Sequence, residues 1–175
     1  IIVYGGVSSS DFGSASRVYW TFKTLGHDEV SILNGGYKAW EAAGFKIETG
    51  KHNPKLVKFI ANYTDKYYAD ADNVIKVIEN SNIGLVDSRP AAFFVGDKKK
   101  KQALRAGRIK NSFNLEQQTL VNEDGTFKSL EEINILISKA GLNGKDGYIS
   151  YCNTGHWASI GWFALSEIAK EPNVK

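Results

Sequence analysis

Short apolar runs alternate with stretches of helical spacing along most of the chain, and this alternation predicts an α/β fold. Ile1-Ile2-Val3-Tyr4 reads as a strand, and a helix follows through Leu25 with Gly26 as its stop. Val30-Ser31-Ile32-Leu33 is a second strand, Asn34-Gly35-Gly36 a turn, and Tyr37 to Ala43 a short helix closed by Gly44. From roughly Glu48 to Lys66, around Pro54, neither period is present, which marks a linker. Periodicity resumes at Ala69 to Asn80, where Val74, Val77 and Ile78 share one face and Asp70 stands at the N-cap. Ile83 to Val86 is a buried strand running into Asp87-Ser88-Arg89-Pro90. Tyr148 to Tyr151 is another, and helical spacing begins again at Ala158. Strands separated by helices call for a parallel sheet covered by helices on both faces.

The only cysteine, Cys152, lies between the last strand and the last helix, in Tyr151-Cys152-Asn153-Thr154-Gly155-His156-Trp157-Ala158. A tight loop wound onto a helix N-terminus gathers unpaired backbone N–H groups at one point. Such donors favour negative charge on the sulfur and hold an anion attached to it, so Cys152 has the setting of a nucleophile. The plainer alternative is a small buried hydrophobe. The chain also repeats itself. Ile1 to Tyr4 matches Tyr148 to Tyr151, and Ala15-Ser16-Arg17-Val18-Tyr19-Trp20 matches Ala158-Ser159-Ile160-Gly161-Trp162-Phe163. Where the second copy has Cys152, the first has Gly5, and no thiol follows it.

Composition narrows the function classes. A chain of 175 residues accommodates one domain or parts of two, and 42% hydrophobic with 23% charged residues is the balance of a globular protein. The net charge of +3 gives no case for nucleic acid. One cysteine rules out an internal disulfide framework. His27, His52 and His156 are scattered, so no metal site or cofactor is expected. No apolar run has the length of a membrane span and no signal peptide is visible. Lys98-Lys99-Lys100-Lys101 is the one conspicuous charge run. It reads first as a solvated loop, and second as a source of electrostatic steering toward Cys152.

Four segments together resemble the tandem-domain rhodaneses, the thiosulfate and mercaptopyruvate sulfurtransferases. They are Asn34-Gly35-Gly36-Tyr37-Lys38-Ala39-Trp40, Leu85 to Pro90, Arg105 to Leu115, and the Cys152 loop. The resemblance implies rhodanese-like α/β domains with a central parallel sheet, both incomplete in this chain. Residues 1–48 would be the C-terminal half of an inactive domain, 49–67 a linker, and 68–175 a catalytic domain lacking its last strand and helix. It also implies sulfur transfer through a persulfide on Cys152, with the amides of Asn153, Thr154, Gly155, His156, Trp157 and Ala158 holding the negative charge. Thr154 would add a hydroxyl or simply form the turn, Gly155 would give backbone freedom, His156 a rim position rather than a base, and Trp157 a wall of the pocket or a place in the core.

Asp87 and Arg89 match the family's Asp-x-Arg strand end, as an ion pair under the loop with substrate contact as a second option for Arg89. Arg105 and Arg108 are the candidates to meet an anionic donor. Phe93 stands where mercaptopyruvate-type enzymes carry arginine, which favours thiosulfate or a persulfide as donor. The expected partners are a small sulfur donor and a cyanide or thiol acceptor, with a sulfur-accepting protein as a further option. The expected compartment is the cytoplasm, with the periplasm as the alternative. Phosphatase chemistry is disfavoured because Ala158 occupies the position of the arginine that would clamp a phosphoryl group. A non-enzymatic rhodanese-like binding module and a dedicated persulfide carrier are the rival readings.

Overall fold

Two small parallel sheets and the helices around them make up the computed structural model, which describes residues 1–6, 9–80 and 82–175. Val7 and Ser8 of the cysteine-free loop lie outside the described residues. The first sheet pairs β1 (Ile2–Val3) with β2 (Ser31–Ile32), and between them runs α1 (Ser9–Thr24). The helix α2 (Gly36–Ala42) follows. The second sheet has the order β4-β3-β5, with β3 (Ile83–Asp87) central, β4 (Phe113–Asn114) on one side and β5 (Gly147–Tyr151) on the other. All its pairings are parallel, so each connection must cross over through other elements. On the far side of β5, residues 173–175 also pair with it. Tyr148 N–H donates to Asn173 O at 3.2 Å, and Lys175 N–H to Tyr148 O at 2.8 Å.

Most elements fall where periodicity places them, with their ends adjusted. The helix α1 begins at Ser9, ahead of the apolar repeat, and ends before Gly26, whose φ of 75° suits a glycine. The helix α3 (Ala71–Asn80) has Asp70 at its N-cap. Asn73 N–H donates to Asp70 Oδ1 at 2.8 Å, and the Asp70 N–H reaches back to Asn73 Oδ1 at 3.3 Å. Residues 51–64, in the linker, have no regular structure, yet Asn62 and Thr64 N–H groups donate to the carbonyls of Leu25 and Thr24, both at 2.9 Å.

The sequence reading assigns no element between Pro90 and Gly147. The structure has α4 (Ala91–Val95), β4, a 3₁₀ turn (Gln117–Leu120) and α5 (Leu130–Lys139) there. The helix α5 carries a full capping box: Ser129 accepts from Glu132 N–H at 3.3 Å, and Glu132 Oε2 accepts from Ser129 N–H at 2.9 Å.

The core is continuous across the two sheets. Phe12 and Tyr19 of α1 are buried with Val86, Leu120, Ile133, Tyr148, Trp162 and Leu165. The helix α6 (His156–Phe163), prolonged by a π-helical turn over Ala164–Ile168, lies beside α1 in the same direction. Near their N-terminal ends, a Cβ on Gly13 would stand 3.1 Å from the His156 carbonyl oxygen. Further along, the Tyr19 ring lies 5.0 Å from Phe163 and 6.2 Å from Trp162. Tyr19 and Trp162 hold equivalent places in the two similar stretches of sequence, and here they meet.

On its other side α6 crosses β3 and β5 at Gly161, where a Cβ would collide with Ser88 Oγ and stand 2.9 Å from Ser150 Oγ. Replacing a helical glycine by alanine gains about 1 kcal/mol where there is room. Here Ser88 is fully buried and bonded to Ser150, so overpacking of about 1–3 kcal/mol outweighs that gain. Urea denaturation of Gly161→Ala is expected to show a net loss of stability.

Candidate active site

Cys152 stands one residue past the end of β5, half-buried and free of any disulfide. The chain turns back at once. Gly155, at φ 94°, is the N-cap of α6, and its N–H donates to Cys152 Sγ at 3.1 Å. The loop is therefore shorter than the sequence suggests. Asn153, Thr154 and Gly155 form it, whereas His156, Trp157 and Ala158 belong to the first turn of α6. A left-handed glycine reverses the chain in one residue, so helical geometry starts before the apolar repeat becomes visible. The first-turn amides of α6 have no intrahelical acceptors. Asn153, Thr154 and His156 are exposed, and Trp157 and Ala158 are half-buried.

Beneath the loop lies a buried polar frame. Asp87, fully buried, accepts from Arg89 Nε at 2.8 Å and from its Nη2 at 2.6 Å, and the same Nη2 donates to Gly107 O at 2.8 Å. Hydrogen bonding to Asp87 raises the Arg89 pKa further above its ordinary value. The Asn114 amide donates to the carbonyls of Asp87 and Arg89, both at 2.9 Å. Tyr151, adjacent to Cys152, donates to Ser112 Oγ at 2.9 Å. Burial is the main cause that pushes its phenol up to about 12, so it stays neutral. Ser150 Oγ donates to Ala158 O at 2.8 Å and lies 3.0 Å from Ser88 Oγ, which pins the start of α6 to the strand ends.

Cys152 opens onto a cleft of about 230 Å³ also lined by Arg17, Trp20, Tyr67, Val74 and Gly155. None of Asp87, Arg89, Arg105 and Arg108 lines it. Arg89 is committed to Asp87. Arg108 lies over the Phe94 ring at 4.3 Å and donates to Phe94 O at 3.3 Å, and Arg105 is exposed. Arg17 is the cation that the sequence reading missed. Its guanidinium stacks on Trp20 at 4.5 Å and lies against Gly155. On the other flank of the loop, Trp157 packs at 6.2 Å from Phe93 and at 5.8 Å from Lys100 Nζ.

Among the described residues no cluster of His, Cys, Asp or Glu could hold a metal ion, and no helix is long and apolar enough to cross a membrane. Two substitutions test the frame. Asp87→Ala leaves a nearly buried guanidinium unpaired, and denaturation should register a loss of about 3–5 kcal/mol. Gly155→Ala places a methyl group against Arg17 at a φ that alanine resists, so Cys152 should alkylate at an altered rate in a protein that still folds.

Comparison with known proteins agrees with this architecture. The family model of the rhodanese-like domain matches residues 70–175. A "putative thiosulfate sulfurtransferase" of Saccharopolyspora erythraea is 36% identical over 182 residues, covering all of this chain and 63% of that protein. One of the same name from Mycolicibacterium smegmatis is also 36% identical, with 64% of its length covered. Among solved structures, the 3-mercaptopyruvate sulfotransferase SseA of Escherichia coli superposes with a TM-score of 0.86 at 29% identity, covering 99% of this chain and 63% of that one. The anaerobic ergothioneine biosynthesis enzyme of Chlorobium limicola gives 0.88 at 23% identity, with 99% and 46% covered, and shares the fold. The chain spans just under two thirds of the length of the curated relatives it matches. With its Cys152 loop at the start of α6 and the family's pattern over most of its length, the chain belongs to the rhodanese-like domain family.

Proposed function

We propose that the protein is a sulfurtransferase that moves a sulfane sulfur from thiosulfate, or a similar donor, to a thiophilic acceptor through a persulfide on Cys152. The observation that carries this reading is the Gly155 N–H aimed at Cys152 Sγ at the N-terminus of α6. In the first step the Cys152 thiolate attacks the outer sulfur of thiosulfate. A new S–S bond forms, the bond to the sulfonate sulfur breaks, and sulfite leaves with that electron pair. In the second step cyanide or a thiolate attacks the outer persulfide sulfur, carries it away, and returns the thiolate. Both steps are displacements at sulfur, so neither needs a cofactor or an obligatory proton transfer.

The protein's part is to hold negative charge at one place. The amides from Asn153 to Ala158 stabilise the thiolate, the persulfide and the departing anion, because they are fixed before the reaction begins. Asp87 and Arg89 act from below by holding the loop, and Arg105 and Arg108 remain the candidates to meet an anionic donor from outside the cleft. His156 is an exposed rim residue with no proton to move in either step. Phe93 brings no charge for a carboxylate, which supports thiosulfate over mercaptopyruvate as donor. On the same reading residues 1–48 belong to a cysteine-free copy and 68–175 to the reactive one. The meeting of matched positions, Tyr19 against Trp162, supports that relation.

Incubation of the full chain with thiosulfate, without acceptor, should add one sulfur, about 32 Da by intact mass. The adduct should disappear on adding cyanide and never form in Cys152→Ser. A folded protein that takes no sulfur from thiosulfate or mercaptopyruvate would instead be a binding module or a carrier loaded by one protein partner.

A further inference from the structure

Positive charge in this chain is concentrated in one loop. Between Gly96 and Gly107 stand Lys98, Lys99, Lys100, Lys101 and Arg105, with Asp97 as the single carboxylate. The loop thus carries four net positive charges by itself, more than the +3 of the whole chain. Among the described residues none of these five cations forms an ion pair. Like charges crowded this way repel one another, and Asp97 alone offsets them.

The loop is nonetheless built into the fold. Gly96 and Gly107 meet at its neck, where a Cβ on Gly96 would stand 3.5 Å from the Gly107 nitrogen, and both have left-handed φ values of 98° and 93°. Lys98 N–H donates to Ala92 O at 2.9 Å, which ties the loop to α4. Lys99 Nζ donates to Ala103 O at 2.8 Å and folds the loop on itself. At its tip Lys100 Nζ faces the Trp157 ring at 5.8 Å, in the first turn of α6. The same neck accepts the Arg89 Nη2 hydrogen bond at Gly107 O, so the loop and the frame beneath Cys152 share a support.

We propose that this loop steers anionic sulfur donors to Cys152 and biases the enzyme toward doubly charged ones. The proposal rests on the sulfurtransferase reading for the identity of the donor, and on the loop's charge and placement for the field. Fixed charges act on encounter rate across about a Debye length, ~10 Å at 0.1 M salt, and their effect fades as salt rises. Thiosulfate, a dianion, gains more from such a field than a singly charged donor.

The field can be read without any sulfur transfer, by alkylating Cys152 in the full chain with anionic iodoacetate and with neutral iodoacetamide. The ratio of the two rates should fall several-fold between about 10 mM and 300 mM salt. In the variant K98Q/K100Q/K101Q the low-salt ratio should already have dropped several-fold and lost most of its salt dependence, with the iodoacetamide rate unchanged. Lys99 is retained because it holds the loop's shape. Persulfide formation from thiosulfate should slow in parallel at low salt, and less so with a singly charged thiosulfonate donor. Equal iodoacetate-to-iodoacetamide ratios in the two proteins overturn the steering. Normal alkylation contrast with no sulfur adduct overturns the donor reading while leaving the field in place.

Discussion

Two serine hydroxyls packed under a glycine determine where the last helix begins, and the position of the thiol follows from that. Ser150 Oγ donates to Ala158 O, so the proton shared with Ser88 must come from Ser88. This arrangement satisfies a carbonyl in the first turn of α6 from inside the sheet and brings the helix down onto the strand ends. It needs Gly161, because any side chain there meets the same two hydroxyls. With α6 fixed so close to β5, only Asn153, Thr154 and Gly155 separate Cys152 from the helix. A reversal that short requires the left-handed Gly155, and its amide then points at the sulfur. Backbone donors are suited to charge that appears and disappears on sulfur, since they need no reorientation when it does.

The frame below obeys the same economy of exposure. Asp87 is buried at the C-terminal end of β3, where the parallel register sets it beside Tyr151. Its charge is tolerated because Arg89 grips it with two donors and the Arg89 N–H adds a third at 3.0 Å. Such a pair contributes little net stability, since desolvation offsets attraction, but it severely penalises any geometry that separates its members. The strand end is held in one position, and the cysteine loop hangs from it. The cysteine-free part contributes as well. The helix α1 fits α6 through Gly13 and buries Phe12 and Tyr19 in the common core, and its Arg17 reaches the cleft that Cys152 lines.

Much of this was legible in the sequence for physical reasons that can be named. The strand β3 is a solid apolar run, α3 has a one-sided apolar face with a reciprocal cap, and Cys152 sits between a strand and a helix. Each is a local pattern, and each stands close to where it is expected. The failures are of two kinds. The strand β4 has two residues and is held by β3, so no alternation appears in its sequence. The helix α5 did carry local signals that the reading passed over, Ser129 with Glu132 and the apolar face of Ile133 and Ile137. The second kind is spatial. That Arg17 lies against Gly155, or that the lysine loop touches Trp157, depends on how helices pack across the molecule. No window of sequence contains that information.

On the proposed reading, short-range and long-range electrostatics take separate tasks at this site, and the difference in range gives a reason for both. The loop amides act at contact distance in a partly buried place, where a fixed donor retains most of its strength and can lower a barrier. The lysines stand in water, where single exposed charges are worth at most about 1 kcal/mol and salt weakens them. They are exposed, and water screens their effect on the bond-making step. What they can change is how often an anion arrives, because encounter responds to the summed field of several charges at once. A site with amides alone would react well with donors that reached it by chance. A site with lysines alone would collect anions without activating the sulfur. Trp157, in the first turn of α6 with Lys100 at its ring, is where the two meet.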